Sequence, residues 1–149
     1  MFTNRFAFLH PERVKCAAFG SPGGWPLAPV AQEKGQLLRY PIGTGDWDKV
    51  TGQALNMKAL AEVPLFVFLG DKDTNDSVPI RDSYDAEDEK LINLLFGTTP
   101  VARWPHTERL YREHLPKATL KLYPNVAHTV TPAMMEDVLA FFRREMGTK

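Results

Sequence analysis

The chain is poor in the features that announce the simplest functions. It has one cysteine, Cys16, so a disulfide framework is excluded. No apolar run approaches the roughly 20 residues of a membrane-spanning helix. Eighteen basic and eighteen acidic residues cancel, which leaves no nucleic-acid footprint and no polybasic membrane patch. Gly-x-Gly-x-x-Gly and Gly-x-x-x-x-Gly-Lys-Ser/Thr are both missing, so nucleotide binding has little support. No internal repeat or low-complexity tract occurs. Residues 1–5 lack the charged-then-apolar order of a signal peptide, and the compartment stays open.

What is there suits one globular unit with a real core: 149 residues, 44% hydrophobic and 24% charged. Phe2, Phe6 and Leu9 share a helical spacing, and His10-Pro11 ends that helix. Val14–Phe19 reads as a short buried strand, broken by the loop chemistry of Gly20-Ser21-Pro22-Gly23-Gly24. Residues 27–46 form an irregular excursion, with a helix expected over 29–38. Val50, Ala54, Met57 and Ala61 recur at a helical period. Leu65–Leu69 is apolar throughout, as expected of a central parallel strand covered on both faces.

The acidic stretch Asp82–Glu89 reads as a helix start. Asp85 is its cap, its acids lie at the positive end of the dipole, and Gly97 is its stop. Pro105 fits the first turn of another helix. Thr119–Tyr123 is the third strand. The last helix starts near Pro132, with Met135, Val138, Leu139, Phe142 and Met146 as its apolar stripe. Strands alternating with helices indicate an α/β fold with a parallel sheet.

In such sheets, functional groups gather beyond the carboxyl ends of the strands. Asp71, Asp73 and Asp76 follow Leu69, and His128 follows Tyr123, so both sets are expected on one rim. A carboxylate that accepts from one ring nitrogen fixes the imidazole tautomer and frees the other nitrogen as a general base. The spacing alone leaves open which aspartate does this. It also leaves open whether His128 is such a base or a structural cap on the last helix. Ser21 is a loop serine or, less simply, a nucleophile in a broken elbow motif, since Phe19 stands where a glycine belongs.

The run Asp71-x-Asp73-x-Asn75 mimics a calcium loop. It has Asp76 at the sixth position instead of glycine, and a strand in front instead of a helix. No metal is expected there. Cys16 reads as a buried, inert thiol, and His106 and His114 as surface residues. Trp25, Trp47, Trp104 and Tyr84 are either pocket lining or core.

Gly70-Asp71-Lys72-Asp73 resembles the loop after the seventh strand of the alpha/beta-hydrolase family. Asn125-Val126-Ala127-His128-Thr129 is similar to that family's histidine loop. Phe2–Leu9 followed by His10-Pro11-Glu12-Arg13-Val14 resembles the helix after its nucleophile elbow and the strand that follows. The resemblance runs from residue 1 to about 146. It implies a partial alpha/beta-hydrolase fold over 1–149, with about three parallel strands, flanking helices and the N-terminal strands missing. Segments 27–46 and 80–117 would be excursions over the active-site rim.

The resemblance also implies roles. Asp73 is the triad acid and His128 the base of a serine hydrolase acting on a small ester, amide or thioester, with no cofactor. The elbow Gly-x-Ser-x-Gly should lie immediately before residue 1, and it is not in the chain. Met1 is then expected to be an internal methionine of a longer protein. The 149 residues alone are expected to be nearly inactive, because losing a triad member costs on the order of 10⁴–10⁶ in rate. The other reading is a non-catalytic α/β module. Its strand at 14–19 would have an unpaired side that recruits a partner chain or a second copy.

Overall fold

The structure, a computed structural model, describes residues 2–147. Helix α1 (Phe2–Leu9) ends at His10, and a 3-10 turn over Pro11–Arg13 leads into strand β1 (Ala17–Gly20). Strand β4 (Leu65–Gly70) lies in the middle of a three-stranded sheet, with β1 on one side and β5 (Ala118–Tyr123) on the other. Both pairings are parallel. Gly20 is opposite Phe68, and Gly70 is opposite Tyr123.

The all-apolar reading of 65–69 corresponds to a strand buried at all six positions. Its side chains divide between two faces, as a period of two requires. Leu65, Val67 and Leu69 join Ala17, Phe19, Phe8, Trp104 and Tyr111 on one face. Phe66 and Phe68 join Tyr123, Met134 and Phe141 on the other. Helices α1 and α5 (Pro100–His114) therefore cover one face, and α6 (Pro132–Met146) covers the opposite one.

The segment 27–46 contains no helix over 29–38. It forms a small hairpin of β2 (Gln32–Glu33) and β3 (Gln36–Leu37). Lys34 and Gly35 turn it with φ of 47° and 77°, the two left-handed residues that a tight two-residue hairpin loop demands. The helical period after Trp47 is split into α2 (Trp47–Thr51) and α3 (Met57–Ala61), because Gly52 at φ 73° caps the first. Helix α4 (Ala86–Phe96) starts as read. Asp85 caps it reciprocally with Asp88, and Gly97 follows its last residue. Helix α5 begins earlier than Pro105 suggested. Thr99 caps it, Pro100 takes the first turn, and Pro105 sits inside it.

Helix α6 differs in the face it buries. Met134 and Phe141 are its buried residues, whereas Met135, Leu139 and Met146 are exposed. Val138 and Phe142 of the expected stripe do pack on this core, alongside Met134 and Phe141, so the buried face is rotated toward 134 and 141 and away from 135, 139 and 146. The Phe66 and Phe68 rings select it.

Residues 25–42 and 78–110 share a second core. Trp25 stacks on Phe96 at 4.0 Å between ring centres, within a cluster that includes Leu38, Ile42, Val78, Tyr84, Ile92 and Leu110. Trp25, Trp47, Trp104 and Tyr84 are all buried, so these aromatics are core.

Candidate active site

Because β1, β4 and β5 are parallel, their carboxyl ends share one rim. Gly20, Gly70 and Tyr123 deliver the loops that hold Ser21, Asp73 and His128. Two of these loops are stitched together by main chain. Asp71 N donates to Tyr123 O at 2.9 Å, and Lys72 N donates to Val126 O at 2.9 Å. The Lys72 ammonium adds a bond to Asn125 Oδ1 at 2.8 Å. Gly70 makes this approach possible. A Cβ there would lie 2.1 Å from Val126 O, so any larger residue would push the histidine loop away.

The three aspartates of the loop have three different fates. Asp73 Oδ2 lies 3.0 Å from His128 Nδ1. Asp76 turns the other way and takes both of its oxygens to Arg103 Nη1 at 2.9 Å. That guanidinium is almost fully buried and also donates to Gly24 O, Gly97 O and Asn93 Oδ1. Asp76 is thus a clamp that ties the loop to the insert. The Asp71 side chain meets no hydrogen-bond partner at its buried Oδ1. Among the three, Asp73 is the carboxylate beside the imidazole.

Asp73 is 1% exposed, and its acceptor capacity is well used. Oδ2 accepts from Ser21 Oγ at 2.6 Å as well as from the ring, and Oδ1 accepts from Asn75 N at 2.9 Å. Burial pushes its carboxyl upward. The bonds from Ser21, His128 and the Asn75 amide outweigh burial and hold it below the usual carboxylate range. A charged Asp73 can only accept, so Nδ1 of His128 carries the proton. Nε2 then accepts, and the Asn75 side-chain amide lies 3.0 Å from it. Among the described residues no hydroxyl bonds to Nε2.

His128 itself is half-exposed and lines a cleft of about 250 Å³ with Gly20, Ser21, Phe68, Thr129 and Val130. Behind the rim, Ser21, Asn75, Leu69 and Trp104 border a narrow pocket of about 10 Å³, room for one water. The Trp104 indole N–H is buried without a protein partner.

Sequence reasoning weighed Ser21 only as a loop serine or a nucleophile and Asn75 only as part of a calcium-loop mimic, and it missed their contacts with Asp73 and His128. Asn75 carried a signal. A loop Asp often folds its side chain onto the backbone amide two residues on, which is what Asp73 does with Asn75. Cys16 is half-buried at the edge of β1 and not sealed in the core. Burial, with Glu145 nearby, pushes its thiol up, so it stays protonated.

Comparison with family models, with curated proteins and with solved structures found no match to this chain.

Proposed function

We propose that this chain carries the acid–base half of an alpha/beta-hydrolase-type serine hydrolase. The observation that supports this is the Asp73–His128 pair, 3.0 Å apart on the carboxyl rim of a parallel sheet, with Nε2 turned away from the acid. In this reading Asp73 orients the ring and stabilises the imidazolium. His128 takes the proton of an attacking serine and returns it to the leaving group of an ester, amide or thioester. The attacking oxygen comes from outside these 149 residues, and no cofactor is needed.

The test is activity-based labelling. The 149-residue chain alone is expected to take up no fluorophosphonate and to turn over no p-nitrophenyl ester. Labelling that vanishes in Ser21→Ala overturns the assignment.

A second reading is favoured by the free edge of β1. Among the described residues only β4 pairs with it. A groove of about 450 Å³ runs beside that edge, lined by Phe6, Val14, Cys16, Ala18 and Phe142 among others. Phe2 on α1 and Met135, Leu139 and Met146 on α6 are exposed apolar residues on the two helices that supply the groove's Phe6 and Phe142. In this reading the chain is a non-catalytic α/β module. Its bare strand takes an extended strand from a partner or from a second copy.

A further inference from the structure

Ser21 occupies a backbone conformation that serine rarely adopts. Its φ is 44°, in the left-handed region that a non-glycine residue enters only at a cost in strain. The surroundings hold it there. Ser21 N extends the β1–β4 ladder by donating to Phe68 O at 2.9 Å, and Ser21 O accepts from Gly23 N at 2.7 Å. Pro22 follows directly. With its backbone fixed on both sides, the side chain points to one acceptor, Asp73 Oδ2, at 2.6 Å. The same oxygen receives Nδ1 of His128.

Resting on the acid–base reading of Asp73 and His128, we propose that Ser21 is the positioning residue of this pair: its hydroxyl holds the Asp73 carboxylate in the rotamer that presents Oδ2 to the imidazole. The geometry argues against the nucleophile alternative for Ser21. Its Oγ is bound to the acid, on the Nδ1 side of the ring, and Nε2 bonds to Asn75. The strain fits a positioning task. A relaxed backbone at residue 21 would swing the hydroxyl off the carboxylate. Asp73 would then keep only the Asn75 amide on its other oxygen, together with a half-exposed ring free to rotate. The hydroxyl also meets part of the hydrogen-bonding need of a carboxylate that is otherwise buried.

The experiment is NMR of the 149-residue chain with ¹⁵N-labelled histidine. Wild type is expected to show a downfield His128 Hδ1 resonance and ring shifts of the Nδ1–H tautomer. Ser21→Ala, which deletes only the hydroxyl, is expected to move that resonance upfield and to mix the tautomers. Ser21→Gly removes the hydroxyl and relieves the positive φ. It is expected to retain or raise the urea midpoint while losing the same resonance, which separates positioning from folding. A resonance and tautomer unchanged in Ser21→Gly overturn the proposal. Since the signature needs no turnover, its loss or survival is independent of whether a nucleophile is ever found for the hydrolase reading.

Discussion

The Asn75 side-chain amide lies 3.0 Å from His128 Nε2, on the nitrogen that a general base must keep free. Its own backbone N–H is bound to Asp73 Oδ1 at 2.9 Å. One residue therefore touches both Asp73 and His128 and covers the ring nitrogen that faces away from the carboxylate. An incoming hydroxyl has to displace the amide, and the exposed position of Asn75 makes that displacement cheap. Asn75→Ala is expected to uncover Nε2. Acylation of His128 by diethyl pyrocarbonate should then run several-fold faster than in wild type, with His114 as an internal control. Equal rates would mean that the amide does not guard the ring.

The Asp73 carboxyl sits below its ordinary range in the folded chain, and in the unfolded chain it returns to about 3.9. A lowered folded value means that the charged form is the one the fold prefers. The stabilisation is complete above about pH 4 and fades as pH falls through the lower folded value. Glu62, Asp85 and Asp137 are lowered as well, so wild type alone will lose stability in acid for several reasons. The informative quantity is the difference between wild type and Asp73→Asn. At pH 7 the substitution is expected to cost about 1–3 kcal/mol in urea unfolding, since the donors from Ser21, Asn75 and His128 lose a charged acceptor. That difference should shrink below pH 4. A constant difference down to pH 3 would show that Asp73 does not carry its charge in the fold.

Gly70 tests the seam between the two loops. Its absent side chain leaves room for Val126 O, which a Cβ would meet at 2.1 Å. Gly70→Ala is expected to cost about 1–3 kcal/mol, the usual range for overpacking. It should also spread the acid loop from the histidine loop. Chemical shifts of Val126–Thr129 report the spreading, and an urea titration reports the cost. Wild-type shifts together with a wild-type midpoint would refute the contact.

Much of the scaffold was legible because its signals are local. The buried strand β4, the Asp85 cap, Gly97 after α4 and the start of α6 near Pro132 each follow from a few neighbouring side chains. The misreadings share a different cause. Whether residues 29–38 coil or pair depends on Lys34 accepting a left-handed backbone, which composition does not announce. The buried face of α6 depends on Phe66 and Phe68, more than sixty residues earlier. The three aspartates of one loop look alike in a sequence. They separate only when Arg103 arrives on α5 for Asp76 and His128 arrives after β5 for Asp73. Ser21 looked like an ordinary loop serine because its partner lies 52 residues away.

The bare edge of β1 gives the last prediction. Ala17 N and Ser21 N point to β4, bonding to Pro64 O and Phe68 O. In a parallel ladder the alternate residues, Ala18 and Gly20, must then direct their N–H groups away from β4, toward the open side. Ala18→Pro deletes an outward donor without removing a β1–β4 bond, which is where an edge strand tolerates proline. If an added strand is how this chain associates, wild type will sediment with a concentration-dependent mass above 16.8 kDa. Ala18→Pro will then shift toward the monomer. The exposed row of Met135, Leu139 and Met146 supplies the independent arm, because charged residues there should weaken the same association if α6 flanks the docked strand. A wild-type chain that stays monomeric at all concentrations removes self-pairing through this edge.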